Sequence, residues 1–207
     1  TIDCAGKFWE SFPYLRSITG SEEGIHIEDG FKRAMLSRVA ADGLFYSGIP
    51  EMTAWHEYHP PGQSYHSYPI GNEPFASVLG NARIMLAMMA YYQQDGDEVW
   101  LERIKRTSDG LRSVAIIRDD YAYIPDGSIG AAFNYPMSGW RNIDEPSGER
   151  YGGEGSVLCY YGQVIRAMVR WHELVNDNDA LDLARKLVNF CQRSNMWEWQ
   201  DMDPSPK

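Results

Sequence analysis

The stretch Tyr151-Gly152-Gly153-Glu154-Gly155-Ser156 delivers one carboxylate between glycines to the start of the apolar run Val157–Val175. Glycines leave room for a substrate to come close, and the amide dipoles at a helix start favour the charged form of an acid. Glu154 therefore suits the work of a base or a hydrogen-bond acceptor. A second carboxylate, Asp126 in Tyr123-Ile124-Pro125-Asp126-Gly127, is the acid partner if burial raises its pKa. Two such groups facing each other across a glycosidic bond perform acid–base hydrolysis. Glu73, Glu57, Asp144 and Glu145 are further carboxylates in the same kind of loop. Each also has a purely structural reading. Glu154 caps a helix, Asp126 makes a Pro-Asp-Gly turn, and Glu73 beside Pro74 is a first-turn residue.

The densest polar and aromatic stretch is Trp55-His56-Glu57-Tyr58-His59, continued by Tyr65-His66-Ser67-Tyr68. Flat rings stack on sugars and imidazoles donate to hydroxyls, so Trp55, His56, His59, Tyr65 and His66 form a candidate binding wall. Glu73, Trp140 and Arg141 join it as candidate substrate contacts; Trp140 has the alternative of anchoring its loop to the core. The histidines lack a recognised metal-ligand spacing, and no metal or cofactor is expected. A polysaccharide lyase would use other residues: Tyr65 or His66 as base, and Asn134, Arg141 or Arg150 against the uronate carboxylate. His172 lies on an apolar helical stripe and reads as a core histidine.

A chain of 207 residues with 43% hydrophobic and 23% charged residues is read as one domain with a sizeable core. The formal charge of −10 argues against a nucleic-acid backbone as partner. Cys4, Cys159 and Cys191 are too few for a disulfide framework, with one bridge between facing helices left open. No apolar run is long enough to span a membrane. The compartment stays open.

Apolar spacing predicts helices around Lys7–Ser17 and Phe31–Val39, the second ending at Asp42-Gly43. A long connection over 44–72 follows, with a short strand at Leu44-Phe45-Tyr46. Asn72-Glu73-Pro74 opens the next helix, which carries Phe75, Val78, Leu79, Ala82, Met85, Leu86, Met89 and Tyr92. Its centre is apolar nearly all round, which implies burial on more than one side. Asp95-Gly96-Asp97 turns it into a helix bearing Trp100, Ile104, Leu111 and Val114. A second aromatic loop over 119–154 leads to Val157–Val175, and Asn176-Asp177-Asn178-Asp179 turns that into a last helix bearing Leu181, Ala184, Leu187, Val188 and Cys191. The hairpins span about 73–118 and 155–194. Pairing Asp97 with Asp179 gives a weak repeat at 82 residues that also aligns Gly80 with Gly162. Short turns at one end imply that the long loops gather at the other.

The segments Leu79-Gly80-Asn81-Ala82 to Gln94-Asp95-Gly96-Asp97, and Tyr161-Gly162-Gln163 to Asn178-Asp179-Ala180-Leu181-Asp182-Leu183-Ala184, resemble hairpins of six-hairpin glycosidase-like proteins. The resemblance implies an all-α fold of helical hairpins arranged as an α/α toroid, with the site where the inner helices begin. It implies a glycoside hydrolase, with Glu154 and Asp126 as the pair and a saccharide or glycan as substrate. Only about two and a half hairpins are visible, so the expected ring is partial, a piece of a larger toroid or an array completed by another chain. A non-catalytic helical module binding glycan or protein through its loops is the rival expectation.

Overall fold

The computed structural model describes residues 2–47, 74–125, 134–140, 142–145 and 158–193. Helix makes up 67% of what is described, so the fold is all-α. The six helices among these residues are α1 (Ile2–Thr19), α2 (Ile25–Leu36), α3 (Val78–Asp95), α4 (Val99–Val114), α5 (Leu158–Val175) and α6 (Asn178–Arg193). The short strands β1 (Phe75–Ser77), β2 (Ile116–Ile117), β3 (Ala122–Tyr123) and β4 (Asn134–Pro136) lie in the connections.

The helices pair in sequence order as α1/α2, α3/α4 and α5/α6, and α1, α3 and α5 lie side by side. The row is parallel. Gly6 of α1 abuts Arg83 of α3 and Trp9 packs at a tilt on Tyr91 further along both helices, while Leu86, Met89 and Gln93 line one groove with Arg166 and Arg170. Each helix of the row is 18 residues long. Each ends at a left-handed residue: Gly20 (φ 64°), Gly96 (φ 68°) and Asn176 (φ 59°). The amide of that residue bonds back to Arg16, Tyr92 or His172 at 2.7–2.8 Å. A helix closes this way where glycine, or asparagine, tolerates the left-handed conformation.

α3 is the most deeply buried helix because it packs against α1, α4 and α5 at once. All of Ile84 to Tyr91 is buried, as an all-round apolar centre requires. Towards its C-terminal half Trp9, Tyr91 and Trp100 form an aromatic knot, with Tyr91 and Trp100 stacked at 5.4 Å. The first hairpin is fastened by a buried carboxylate. Glu28, 3% exposed, accepts from Tyr91 Oη at 2.6 Å and Arg16 Nε at 2.9 Å. Lys32 Nζ lies 3.6 Å away. Burial alone would raise its pKa, but the Tyr91 and Arg16 hydrogen bonds and the charges of Lys32 and Arg16 outweigh it, leaving Glu28 below the ordinary glutamate range.

Several expected boundaries move. α1 runs beyond Lys7–Ser17, from Ile2 to Thr19, and holds Pro13 inside it at the cost of one amide donor. α2 begins at Ile25 and stops at Leu36. Gly43 is left-handed as expected (φ 82°), but Asp42-Gly43 forms the tip of a small β-turn, with Ala40 N–H bonded to Leu44 C=O at 2.8 Å. A side chain at Gly43 would strike the Arg106 carbonyl, so this tip needs glycine for space as well as for φ. Pro74 does not open α3 either. The chain stays extended through β1, and Ser77 caps the helix by accepting from Gly80 N–H at 3.1 Å.

Candidate functional site

The described loop segments collect where α3 and α5 begin. β1 pairs antiparallel with β4, aligning Phe75 with Pro136 and Ser77 with Asn134. Ser47 and Phe75 exchange two backbone hydrogen bonds of 2.8 and 3.0 Å. The connection before α3 and the connection before α5 are therefore stitched to each other.

Two side chains hold these connections to the helices. Asn81, the fourth residue of α3 and fully buried, treats Phe45 as a strand partner. Its Oδ1 accepts from Phe45 N–H at 2.7 Å, and its Nδ2 donates to the carbonyls of Phe45 at 3.0 Å and Ser77 at 2.9 Å. Tyr161, the fourth residue of α5, does the same for Ile124. Its hydroxyl accepts from Ile124 N–H at 3.2 Å and donates to Ile124 C=O at 3.3 Å. Buried backbone groups need such partners. Around Tyr161 the rings of Tyr123 and Phe190 pack at 5.2–5.8 Å centroid spacings. Asn189 Nδ2 donates to Asp120 C=O at 2.6 Å, tying the 116–125 connection to α6.

Of the residues expected to carry chemistry, Glu154, Asp126, Trp55, His56, His59, Tyr65, His66, Glu73 and Arg141 lie outside the described residues, as do Glu57 and Arg150. Trp140 is described. Its indole N–H donates to Val114 C=O at the end of α4 (2.7 Å), and its ring meets Tyr135 edge-on at 5.0 Å. Asn134 is buried in β4. Glu145 accepts from Tyr121 Oη at 2.7 Å, a bond that raises the phenol's pKa, and Asp144 is exposed. His172 is half-buried, with Nδ1 3.0 Å from the Asp177 carbonyl. Cys191 is a buried thiol whose pKa burial raises to about 11, and Cys4 is an exposed one. No cluster of three or more potential metal ligands occurs among the described residues, and no described helix is long and apolar enough to cross a membrane.

The sequence reading assigned no role to Asn81, Tyr161 or Glu28. Asn81 could have been found, as a lone carboxamide in an otherwise apolar turn. Glu28 could not, because its neighbours Ile25 and Ile27 are the exposed ones, at 46% and 65%.

Comparison of the chain with protein-family models and with curated proteins finds no match.

Proposed function

We propose that this protein is a carbohydrate-active enzyme of the α/α-toroid type, a glycoside hydrolase using Glu154 and Asp126. The observation that carries the reading is the Tyr161 clamp. Ile124, two residues before Asp126, is bonded through both its backbone groups to the first turn of α5, the helix into which the Glu154 loop leads. The described chain before Asp126 thus runs beside the first turn of the helix that follows Glu154 in sequence. The parallel row α1, α3, α5 and the β1–β4 stitch support a site at that end.

Glu154 in this reading is the base or nucleophile and Asp126 the acid. A carboxyl separation of about 5 Å corresponds to retention of anomeric configuration and about 6.5–9.5 Å to inversion. The test is a screen of the purified chain against neutral glycans, with Glu154→Gln and Asp126→Asn alongside. Each substitution is expected to lower kcat/KM by at least about a thousandfold with the fold intact. Saccharide binding that survives Glu154→Gln, with no turnover at any pH in the parent, would replace the enzyme with a binding module. An unsaturated, ultraviolet-absorbing product would replace it with a lyase.

A further inference from the structure

Among the described residues α1 is the edge of the row α1–α3–α5, and its flank away from α3 is apolar. α1 meets α3 through Gly6 and Trp9. At about 100° per residue, the opposite flank carries Cys4, Phe8, Ser11, Leu15 and Ile18, the alternating three- and four-residue spacing of a helix–helix seam. Phe8 is 65% exposed, Leu15 52% and Ile18 81%.

The far flank of α5 has the matching pattern. Gly162, Ile165, Val169 and His172 follow the same spacing, with Gly162 exposed and the rest half-buried. At the existing α1–α3 contact a glycine allows close approach: a Cβ on Gly6 would lie 2.7 Å from Arg83 Cβ. Gly162 has nothing within 4 Å of where its Cβ would be, so a glycine slot of the same kind stands open at the other end of the row. The row also bends. Arg166 of α5 reaches Glu10 of α1 at 2.9 Å across the face of α3, and second neighbours in a row meet only on its concave side. The outer helices α4 and α6 touch each other, with α4 on α3 and α6 on α5. The whole chain carries −10, but no seam position of either flank is a Lys, Arg, Asp or Glu, so two copies can meet there without opposing carboxylates.

We infer that a second copy of this chain completes the row head to tail, the α1 seam of each copy seated on the α5 flank of the other, closing a two-fold ring of parallel inner helices. The interface continues the α1–α3 contact instead of inventing a new one. Two unlike flanks that meet with closure give a finite ring, and without closure a filament. The inference stands apart from the hydrolase reading, since it concerns the helix flanks and not the loops.

The test is the solution mass of the purified chain by light scattering or sedimentation, across a dilution series. The expected species is twice the 23.6 kDa chain mass. Leu15→Glu with Ile18→Glu, and separately Gly162→Glu, are each expected to weaken association by at least about a hundredfold. All three positions are exposed, so each variant should keep the parent's helical circular dichroism and a cooperative melt, its midpoint lowered only to the value the parent reaches on dilution. Mixing the two variants restores one intact interface per pair, so a heterodimer should form where neither variant dimerises alone. A monomer at every concentration, an open series of larger species, or a dimer indifferent to Gly162→Glu would each overturn the proposal. So would a failure of the two variants to complement each other.

Discussion

At the fourth residue of α3 a carboxamide holds the preceding loop; at the fourth residue of α5 a phenol does. Asn81 makes three bonds of 2.7–3.0 Å, Tyr161 two of 3.2 and 3.3 Å. The turn ends show the same substitution of means. Trp100, in the outer helix of its hairpin, donates its indole N–H to Asp95 at 3.1 Å. Trp171, in the inner helix of the next, donates to Asp177 at 3.0 Å. At the helix starts this repeat keeps a loop residue's backbone N–H and C=O satisfied while the satisfying side chain changes, and at the turn ends it keeps an indole-to-carboxylate bond between residues at different positions. Identity matching is a poor guide to it.

That comparison can be broken experimentally. Asn81→Ala orphans Phe45 N–H and C=O in a fully buried place, and should cost about 3–5 kcal/mol in urea unfolding. Tyr161→Phe removes longer bonds and should cost about 1–3 kcal/mol. Equal losses would mean that the two clamps are not counterparts of unequal strength. In the first hairpin, Glu28→Gln keeps the shape but removes the charge facing Arg16 and Lys32, for an expected loss of about 2 kcal/mol.

The pH dependence of the same group has a definite sign. Glu28 is depressed in the folded state, so its contribution is full above the unfolded glutamate value near about 4.3 and is lost as pH falls through the folded value. Stability of the parent should therefore drop more steeply below about pH 4 than that of Glu28→Gln. The smallest effects lie at the helix stops. Gly96→Ala should lose about 1 kcal/mol at its left-handed φ. Asn176→Gly should gain a few tenths, raising the melting midpoint slightly.

Much of the fold was legible where glycine, asparagine or an aspartate punctuates an apolar run. Gly96 ends α3 and Asn176 ends α5, and both stood out as turns. The repeat itself was misaligned. The 82-residue offset matched Gly80 to Gly162 and Asp97 to Asp179, whereas the inner helices run from Val78 to Asp95 and from Leu158 to Val175, 80 positions apart at both ends. In that register Asn81 falls on Tyr161, and Asp97 on Asp177. Both aspartates accept an amide of the following outer helix, from Val99 and Ala180, each at 3.0 Å. α1 runs from Ile2 to Thr19, beyond the Lys7–Ser17 that apolar spacing predicts, and the packing of Trp9 and Gly6 on α3 outweighs the one donor missing at Pro13. For the site, residue types show which side chains can do acid–base chemistry, but not their separation, and separation decides the reaction.

The equal length of the three inner helices has a consequence for how this protein can change. Eighteen residues at about 1.5 Å each make a slab about 27 Å deep, and every residue along that depth has an assigned compass bearing. One inserted residue in the middle of α3 would swing everything beyond it by about 100°, turning buried Met88 and Tyr91 toward the wrong neighbours. The helices therefore tolerate exchange of side chains but not a change in number. Insertions and deletions must fall in the connections, so heritable variety in length is channelled to the end where the candidate chemistry lies.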